Sequence, residues 1–348
     1  MPAKTPTAIE SVEEINLNGI SQTIYLTGQD IQKPILLILH GGPGESILQM
    51  WHQHPDLREL EAHFLVVNWD QRGAGKSYSD NIPVDSMTLL QLIKDAHALT
   101  QALKQRFKQD QIYLLAHSAG TMIAIPLIQK YPEDFYAYIG VGQVISFAKN
   151  EREGYLFALE QAQKKHNQDA LSELREAGEP DEKGNYPDDE EEVDEADEDY
   201  DPYEITEKWV TEFGGSFHNT KCLAEYDVLI TNSYEKDRQK WEAGLAFSQQ
   251  LFRDKHFPNM KEFDIQELVT EFYIPVYFVS GKYDYETPVH LVRQYFTEVE
   301  TQKDITFIEF EHSAHFPFLE EPRSFNYLLI NKVLPETYDP VPSEKLHH

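Results

Sequence analysis

Residues 112–120 read Ile-Tyr-Leu-Leu-Ala-His-Ser-Ala-Gly, and the serine among them, Ser118, sits between two apolar stretches. The first has the length of a buried strand, and the second, Thr121–Ile128, has helical character. A serine on so abrupt a strand-to-helix turn has its hydroxyl raised at the sheet edge and its backbone near the helix N-terminus, the arrangement called a nucleophile elbow. Backbone at such a turn is strained and crowded, which accounts for the small neighbours Ala116, Ala119 and Gly120. A serine capping a core helix produces the same short pattern, so the match gains weight only from the rest of the chain.

Two other segments supply what acyl transfer needs. Upstream, the apolar run Pro34–Leu39 breaks into His40-Gly-Gly-Pro-Gly44. Glycines at a strand end let backbone N–H groups turn inward, because no Cβ obstructs the chain or a ligand. The oxyanion of a tetrahedral intermediate needs two such donors, here expected from Ala119 and Gly42. A plain tight turn would favour the same glycines and proline. Downstream, Ile274–Ser280 ends in Gly281-Lys-Tyr-Asp284, and Ile305–Phe310 leads into Glu311-His-Ser-Ala-His315. An acid and then a histidine, each just past a strand, complete a Ser…Asp…His order. His315 would take the proton from Ser118 and return it to the leaving group, while Asp284 fixes the imidazole tautomer. His312 is the rival base, disfavoured because it lies nearer the strand and earlier in the turn.

These motifs resemble the proline iminopeptidase family of serine hydrolases, which have the α/β-hydrolase fold. The resemblance is carried by His40–Gly44, Trp69-Asp-Gln-Arg-Gly-Ala-Gly-Lys-Ser77, the Ser118 turn, Gly281–Asp284 and Ser313-Ala-His315. It implies metal-free removal of an N-terminal residue, typically proline or a similar small residue, through an acyl-enzyme. The alternative is a carboxylesterase or small-amide hydrolase using the same triad. Members of that family usually carry tryptophan after the nucleophile, whereas this chain has Ala119. The exchange implies a reshaped acyl pocket and leaves the backbone N–H donor in place. The family also holds the substrate ammonium with lid glutamates, for which Glu151, Glu153, Glu204, Glu207 and Glu225 are candidates, none singled out.

The elements that must position these residues follow from the periodicity. Residues 9–29 alternate like strands around an Asn18-Gly19 turn, and Phe64–Trp69 is a buried strand leading to a loop that Asp70 and Arg72 are expected to pin. Residues 88–108 repeat apolar positions at helical spacing, and another strand follows at Ala137–Gly142. Strands alternating with helices imply an α/β class: a mostly parallel sheet with helices on both faces. From 149 to 262 the strand pattern stops, so residues 1–148 and 263–335 are expected to form the hydrolase core around an inserted, mainly helical lid, with a tail at 336–348. Within the lid, residues 179–201 hold 14 acidic side chains against one lysine, which predicts a disordered, solvated loop that could attract protonated amines.

Composition sets outer bounds. The chain of 348 residues carries a net charge of −30, which excludes nucleic acid and anionic membrane surfaces as natural partners and leaves a small peptide or small molecule as substrate. No apolar window is long enough to span a membrane, and the N-terminal residues lack the apolar core of a signal peptide. Cys222, the single cysteine, cannot form an intrachain disulfide and suits a reducing cytoplasm. No Cys/His grouping has ligand spacing, so neither a metal nor a cofactor is expected. Oligomeric state is left open.

Overall fold

The computed structural model describes residues 8–187, 201–253, 258–269, 271–299 and 305–338. Its strands are β1 (Ile9–Leu17), β2 (Ile20–Gly28), β3 (Ile35–Leu39), β4 (Leu65–Asp70), β5 (Ile112–His117), β6 (Phe135–Val141), β7 (Val276–Gly281) and β8 (Ile305–Phe310). They form one sheet in the order β1-β2-β4-β3-β5-β6-β7-β8. The β1–β2 and β2–β4 pairs are antiparallel, and β4, β3, β5, β6, β7 and β8 run parallel. This is the α/β-hydrolase fold.

Local chemistry explains the pieces. The first hairpin turns at Asn18 and Gly19, with φ of 49° and 90°, the left-handed pair that a two-residue turn between right-twisted strands requires. β1 alternates between half-buried and exposed residues, as an edge strand does. β3 and β5 are buried at every position. Their alternate side chains enter two different cores, as a sheet covered on both faces demands. Leu37, Leu39 and Leu114 pack with helices α1 (Leu89–Phe107) and α2 (Gly120–Lys130). Leu36, Ile38 and Leu115 pack on the opposite side with Trp51, Phe318 and Phe325. The ends of α1 are marked as its sequence suggests: Thr88 accepts from the Gln91 N–H at the start, and Lys108 takes a left-handed conformation at the finish.

Between β6 and β7 the chain is helical: α3 (Phe147–Lys164), α4 (Gln168–Ala177), α5 (Pro202–Glu212), α6 (Thr220–Ser233) and α7 (Arg238–Arg253). The first three share a core of their own around Tyr155, Ala158, Leu174 and Trp209. The start of the acidic stretch is built onto that core and is not loose. Glu179 pairs with Arg152 at 3.0 Å, Asp181 Oδ1 accepts the N–H groups of Lys183 and Asn185, and the buried Tyr186 hydroxyl donates to Thr206 at 2.7 Å. Tyr186 is the anchor that the charge count concealed. Residues 188–200 lie outside the described residues, as do 339–348 of the expected tail. Glu336 and Thr337, at that tail's start, form a helical turn whose side chains hydrogen-bond Tyr277 and Tyr113 of the sheet.

The loop after β4 is pinned by Asp70 and Arg72 as expected, each through partners of its own. Arg72 makes a buried two-pronged contact with Asp95 of α1, at 2.7 and 3.1 Å. Asp70 accepts from the Ser46 hydroxyl, from the Lys76 N–H at 2.7 Å and from the Tyr234 hydroxyl of the insertion at 2.9 Å. An arginine fork fits a carboxylate that presents both oxygens to it, and Asp95 offers that on a neighbouring helix.

Helix α2 lies directly on the end of β3. A Cβ on Gly120 would come within 2.6 Å of the His40 carbonyl oxygen and 2.8 Å of that of Leu39. Both are backbone atoms with no room to move. Gly120→Ala is therefore expected to destabilise the fold by about 1–3 kcal/mol, the usual range for overpacking, despite alanine's better helix propensity. Urea unfolding with an unchanged slope and a lowered midpoint is the expected readout.

Candidate active site

Ser118 follows the last residue of β5 with φ of 52°, in the left-handed region that non-glycine residues rarely enter. The conformation is held by three hydrogen bonds. The Ser118 N–H donates to Val141 at 3.0 Å, and the Thr121 N–H and hydroxyl both donate to the Ser118 carbonyl, at 2.8 and 2.6 Å. The loop after β3 passes so close that a Cβ on Gly41 would meet the Ser118 Cβ at 2.8 Å. Only a glycine backbone brings that loop to the serine.

Gly42 and Ala119 both line the cavity that contains Ser118. Among the described residues neither of their backbone N–H groups has a hydrogen-bond partner. Gly42 has φ of 109°, and a Cβ there would sit 2.6 Å from the backbone nitrogens of Gly44 and Glu45. Such tightly curled N–H groups are the form of an anion-binding nest.

The acid and the histidine meet. His315 Nδ1 lies 2.9 Å from Asp284 Oδ2. Asp284 also accepts from the Thr287 hydroxyl at 2.8 Å and from the N–H groups of Glu286 and Thr287 at 3.0 and 2.8 Å. These donors fix the orientation of the Asp284 carboxyl, and with Oδ2 accepting from Nδ1 the imidazole carries its ring proton there, leaving Nε2 as an acceptor. Gly142, φ 57°, makes room for the ring: a Cβ there would lie 2.7 Å from His315 Cε1. His312 is exposed, is absent from the cavity wall, and its N–H is used by Glu321.

Two more histidines near the serine have other duties. His117 donates from Nε2 to the His315 carbonyl at 3.0 Å, with ring centroids 4.6 Å apart. Burial and the neighbouring His315 hold its pKa well below the ordinary value, so it stays a neutral prop for the His315 backbone. His40 is pushed down to about 4 by burial, and it bridges the Gly41 carbonyl and the Gln71 N–H. His315 is different: burial pulls its pKa down, but Asp284 at hydrogen-bond distance and the charges of Glu286 and Glu45 outweigh that, for a net rise.

The cavity holding Ser118 and His315 has a volume of about 320 Å³, at the small end for ligand sites. Six acidic residues line it, Glu45, Glu151, Glu204, Glu207, Asp227 and Glu286, and among the described residues no lysine or arginine does. Of the candidate lid glutamates, Glu151, Glu204 and Glu207 are therefore at the site. Glu153 faces His290 at 3.5 Å and Glu225 faces His54 at 3.6 Å, both away from it. Glu45, Glu286 and Asp227 escaped the reading of the sequence. Glu45 directly follows the Gly-Gly-Pro-Gly turn and Glu286 stands two residues after Asp284, and that adjacency was the available signal. Burial raises the pKa of Glu45, Glu207 and Glu286, and repulsion from neighbouring carboxylates adds to it for each. The lone thiol of Cys222 packs under Leu319 as a buried filler, its pKa pushed up to about 11 by burial.

A family model described as serine aminopeptidase, S33, matches residues 30–219. The chain belongs to that family. It is accordingly a serine hydrolase. A probable aminopeptidase of Bacillus subtilis (strain 168), YbaC, is 32% identical over 330 residues, covering 93% of this chain and 96% of the relative. A proline iminopeptidase of Heyndrickxia coagulans is 26% identical over 290 residues, covering 83% of this chain and 87% of the relative. Among solved structures, a proline iminopeptidase-related protein from Thermus thermophilus superimposes with a TM-score of 0.64 at 17% identity, covering 94% of this chain and 98% of that one. The proline iminopeptidase of Mycobacterium smegmatis gives 0.59 at 14% identity, covering 94% and 99%. At these identities the solved structures speak for the fold.

The histidine geometry generates a measurable expectation. A ring held by Asp284 keeps its proton to higher pH, so an NMR titration of His315 should centre above 6.5. In Asp284→Asn the charge that raises it is gone and burial dominates, so the midpoint should fall below the wild-type value. An unmoved midpoint would mean that Asp284 does not set the ionisation of His315.

Proposed function

We propose that this S33 enzyme is an aminopeptidase that releases one N-terminal residue through an acyl-enzyme, with Ser118, His315 and Asp284 as its triad. Ser118 Oγ attacks the carbonyl carbon of the first residue while its proton passes to His315 Nε2. The oxyanion that forms is met by the N–H groups of Gly42 and Ala119. The C–N bond then breaks as His315 gives that proton to the departing amine. Water, deprotonated by the same imidazole, attacks the ester, and Ser118 recovers its proton when the free amino acid leaves.

One observation carries the choice of an amine substrate. Beside Ser118 and His315 the cavity presents Glu45 and Glu286, whose charges act on His315, and among the described residues no lysine or arginine lines the wall. The α-ammonium of a free N-terminus lies next to the scissile carbonyl, so carboxylates close to the catalytic histidine are where it must be held. Prolyl residues, released by relatives named proline iminopeptidases, are the reference substrate, and Ala119 leaves the space beside the nucleophile open for other residues. A carboxylesterase using the same triad is the second reading, favoured by the apolar wall of Met122, Val144 and Phe217. A single cysteine, which leaves no intrachain disulfide to protect, suits a reducing compartment such as the cytoplasm.

Aminoacyl p-nitroanilides, their N-acetyl derivatives and p-nitrophenyl butyrate separate these readings. Anilide cleavage is expected, with a loss of about 100-fold in kcat/KM on acetylation, since a charge-assisted hydrogen bond is worth about 1.5–3 kcal/mol. Turnover of the ester with no cleavage of any anilide would establish the esterase instead. Ser118→Ala should lower kcat by about 10⁴-fold or more with an unchanged melting temperature. Because the neutral imidazole is the base, the acid limb of kcat/KM should lie above pH 6.5 and activity should fall as pH drops through it.

A further inference from the structure

The turn that carries Gly42 is gripped on two sides. On its inner side Gly41 lies against Ser118. On its outer side the helical insertion takes over. Tyr234, the residue after α6, is buried, and its hydroxyl reaches Ser46, 188 residues earlier in the chain. That hydroxyl donates to Asp70 Oδ1 at 2.9 Å and accepts the Leu48 N–H at 3.2 Å. The Ser46 hydroxyl donates to the same Asp70 oxygen. One carboxylate oxygen therefore joins a hydroxyl of the insertion to a hydroxyl of the segment that follows Gly42. Hydrogen bonds to a carboxylate are shorter and stronger than those between neutral groups, so the joint is a stiff one.

Neighbouring contacts brace this joint. Asp70 Oδ2 accepts the Lys76 N–H at 2.7 Å, and the Lys76 ammonium pairs with Asp237, just before α7, at 2.8 Å. The Trp241 indole N–H of α7 donates to the Ser46 carbonyl at 3.4 Å. Ser248 of the same helix stands so near the turn that a Cβ on Gly44 would lie 2.6 Å from the Ser248 Cβ. Between Gly42 and Ser46 the backbone is tightly curled, with the Ser46 N–H donating to the Gly44 carbonyl at 2.8 Å. Over so short a stretch a shift at Ser46 is carried to the Gly42 N–H. An oxyanion donor is effective only within about 2.7–3.1 Å of the place where the charge develops.

We propose that Tyr234 is a positioning residue for the oxyanion site: through Asp70 and Ser46 its hydroxyl sets the turn that presents the Gly42 N–H. The insertion then has a share in the chemical step as well as in the shape of the cavity. The inference rests on the proposed role of Gly42 as an oxyanion donor, and it holds for amide and ester substrates alike.

Tyr234→Phe removes the hydroxyl and keeps the ring. With prolyl p-nitroanilide and p-nitrophenyl butyrate as substrates, kcat should fall about tenfold or more on each one turned over, with KM held within about twofold, because the oxyanion exists only after the attack. Phenylboronic acid, which forms a tetrahedral adduct with Ser118 Oγ, should bind more weakly by a similar factor. Its dissociation constant is independent of the folded fraction, so a loss of active protein alone would lower kcat and leave that constant where it was. Ser46→Ala cuts the same joint from the other side and should give a similar loss, and the double variant should lose little more than either single one. Boronate affinity unchanged in both single variants would overturn the proposal, as would losses that multiply in the double variant. Turnover of butyrate with no anilide cleaved would overturn the aminopeptidase reading, and the butyrate and boronate ratios would still decide the role of Tyr234.

Discussion

The left-handed turn at Ser118 is the constraint around which the molecule is arranged. A non-glycine residue held at φ of 52° costs about 1–3 kcal/mol and persists only where its surroundings leave no alternative. Here those surroundings are three parallel strand ends. β5 delivers the serine, β6 receives its N–H at Val141, and the loop after β3 passes over it. Each approach is closed by a glycine: Gly41 against the Ser118 Cβ, Gly120 against the carbonyls of Leu39 and His40, Gly142 against the His315 ring. The sheet order puts β3 and β6 on either side of β5, and without that order these contacts could not coexist.

Burial then sorts the histidines. His40 and His117 are buried without a carboxylate partner, so burial governs them and they remain neutral donors and acceptors within the loops. His315 is as deeply placed, but Asp284 touches its Nδ1 and two further carboxylates act on it through the cavity. A buried imidazole can take up a proton only with that compensation, because the imidazolium would otherwise have no counter-charge. The same carboxylates that raise His315 are the ones assigned to the substrate ammonium in the proposed function, so that reading gives proton transfer and substrate capture one electrostatic source.

Much of this was legible in the sequence. Strands β3, β5 and β8 are continuous apolar runs or β-branched stretches bounded by turn residues, and the structure begins and ends them within a residue or so of where the pattern does. Asp284 and His315 stood out because each follows such a run in the required order. Glu45, Glu286 and Asp227 did not stand out, because in a chain with 60 acidic residues a carboxylate gains meaning only from the wall it faces. His117 was hidden for a similar reason: a histidine inside an apolar strand reads as core until the carbonyl it supports is seen. That Asp70 and Arg72 pin their loop was readable, but the partner of Arg72, Asp95, was not, because α1 comes beside the β4 loop only in space. Local pattern reports strand ends and turns; it does not report which helices converge on them.

The coupling between core and insertion follows from where the insertion is tied down. The Ser216 carbonyl accepts the His315 N–H at 2.9 Å, while its hydroxyl donates to Glu286. On the other flank the Tyr234 hydroxyl donates to Asp70 at 2.9 Å, and Asp70 also receives the Ser46 hydroxyl, next to Glu45. The helices that carry Glu207 and Asp227 are thus anchored to the loops that carry His315 and Gly42. Asp70 is buried with its pKa pushed up to about 6, so its donors are what keep the anchor ionised near neutral pH. Helices joined at these points can exchange the residues they turn toward the cavity while Ser118, Asp284 and His315 keep their mutual geometry.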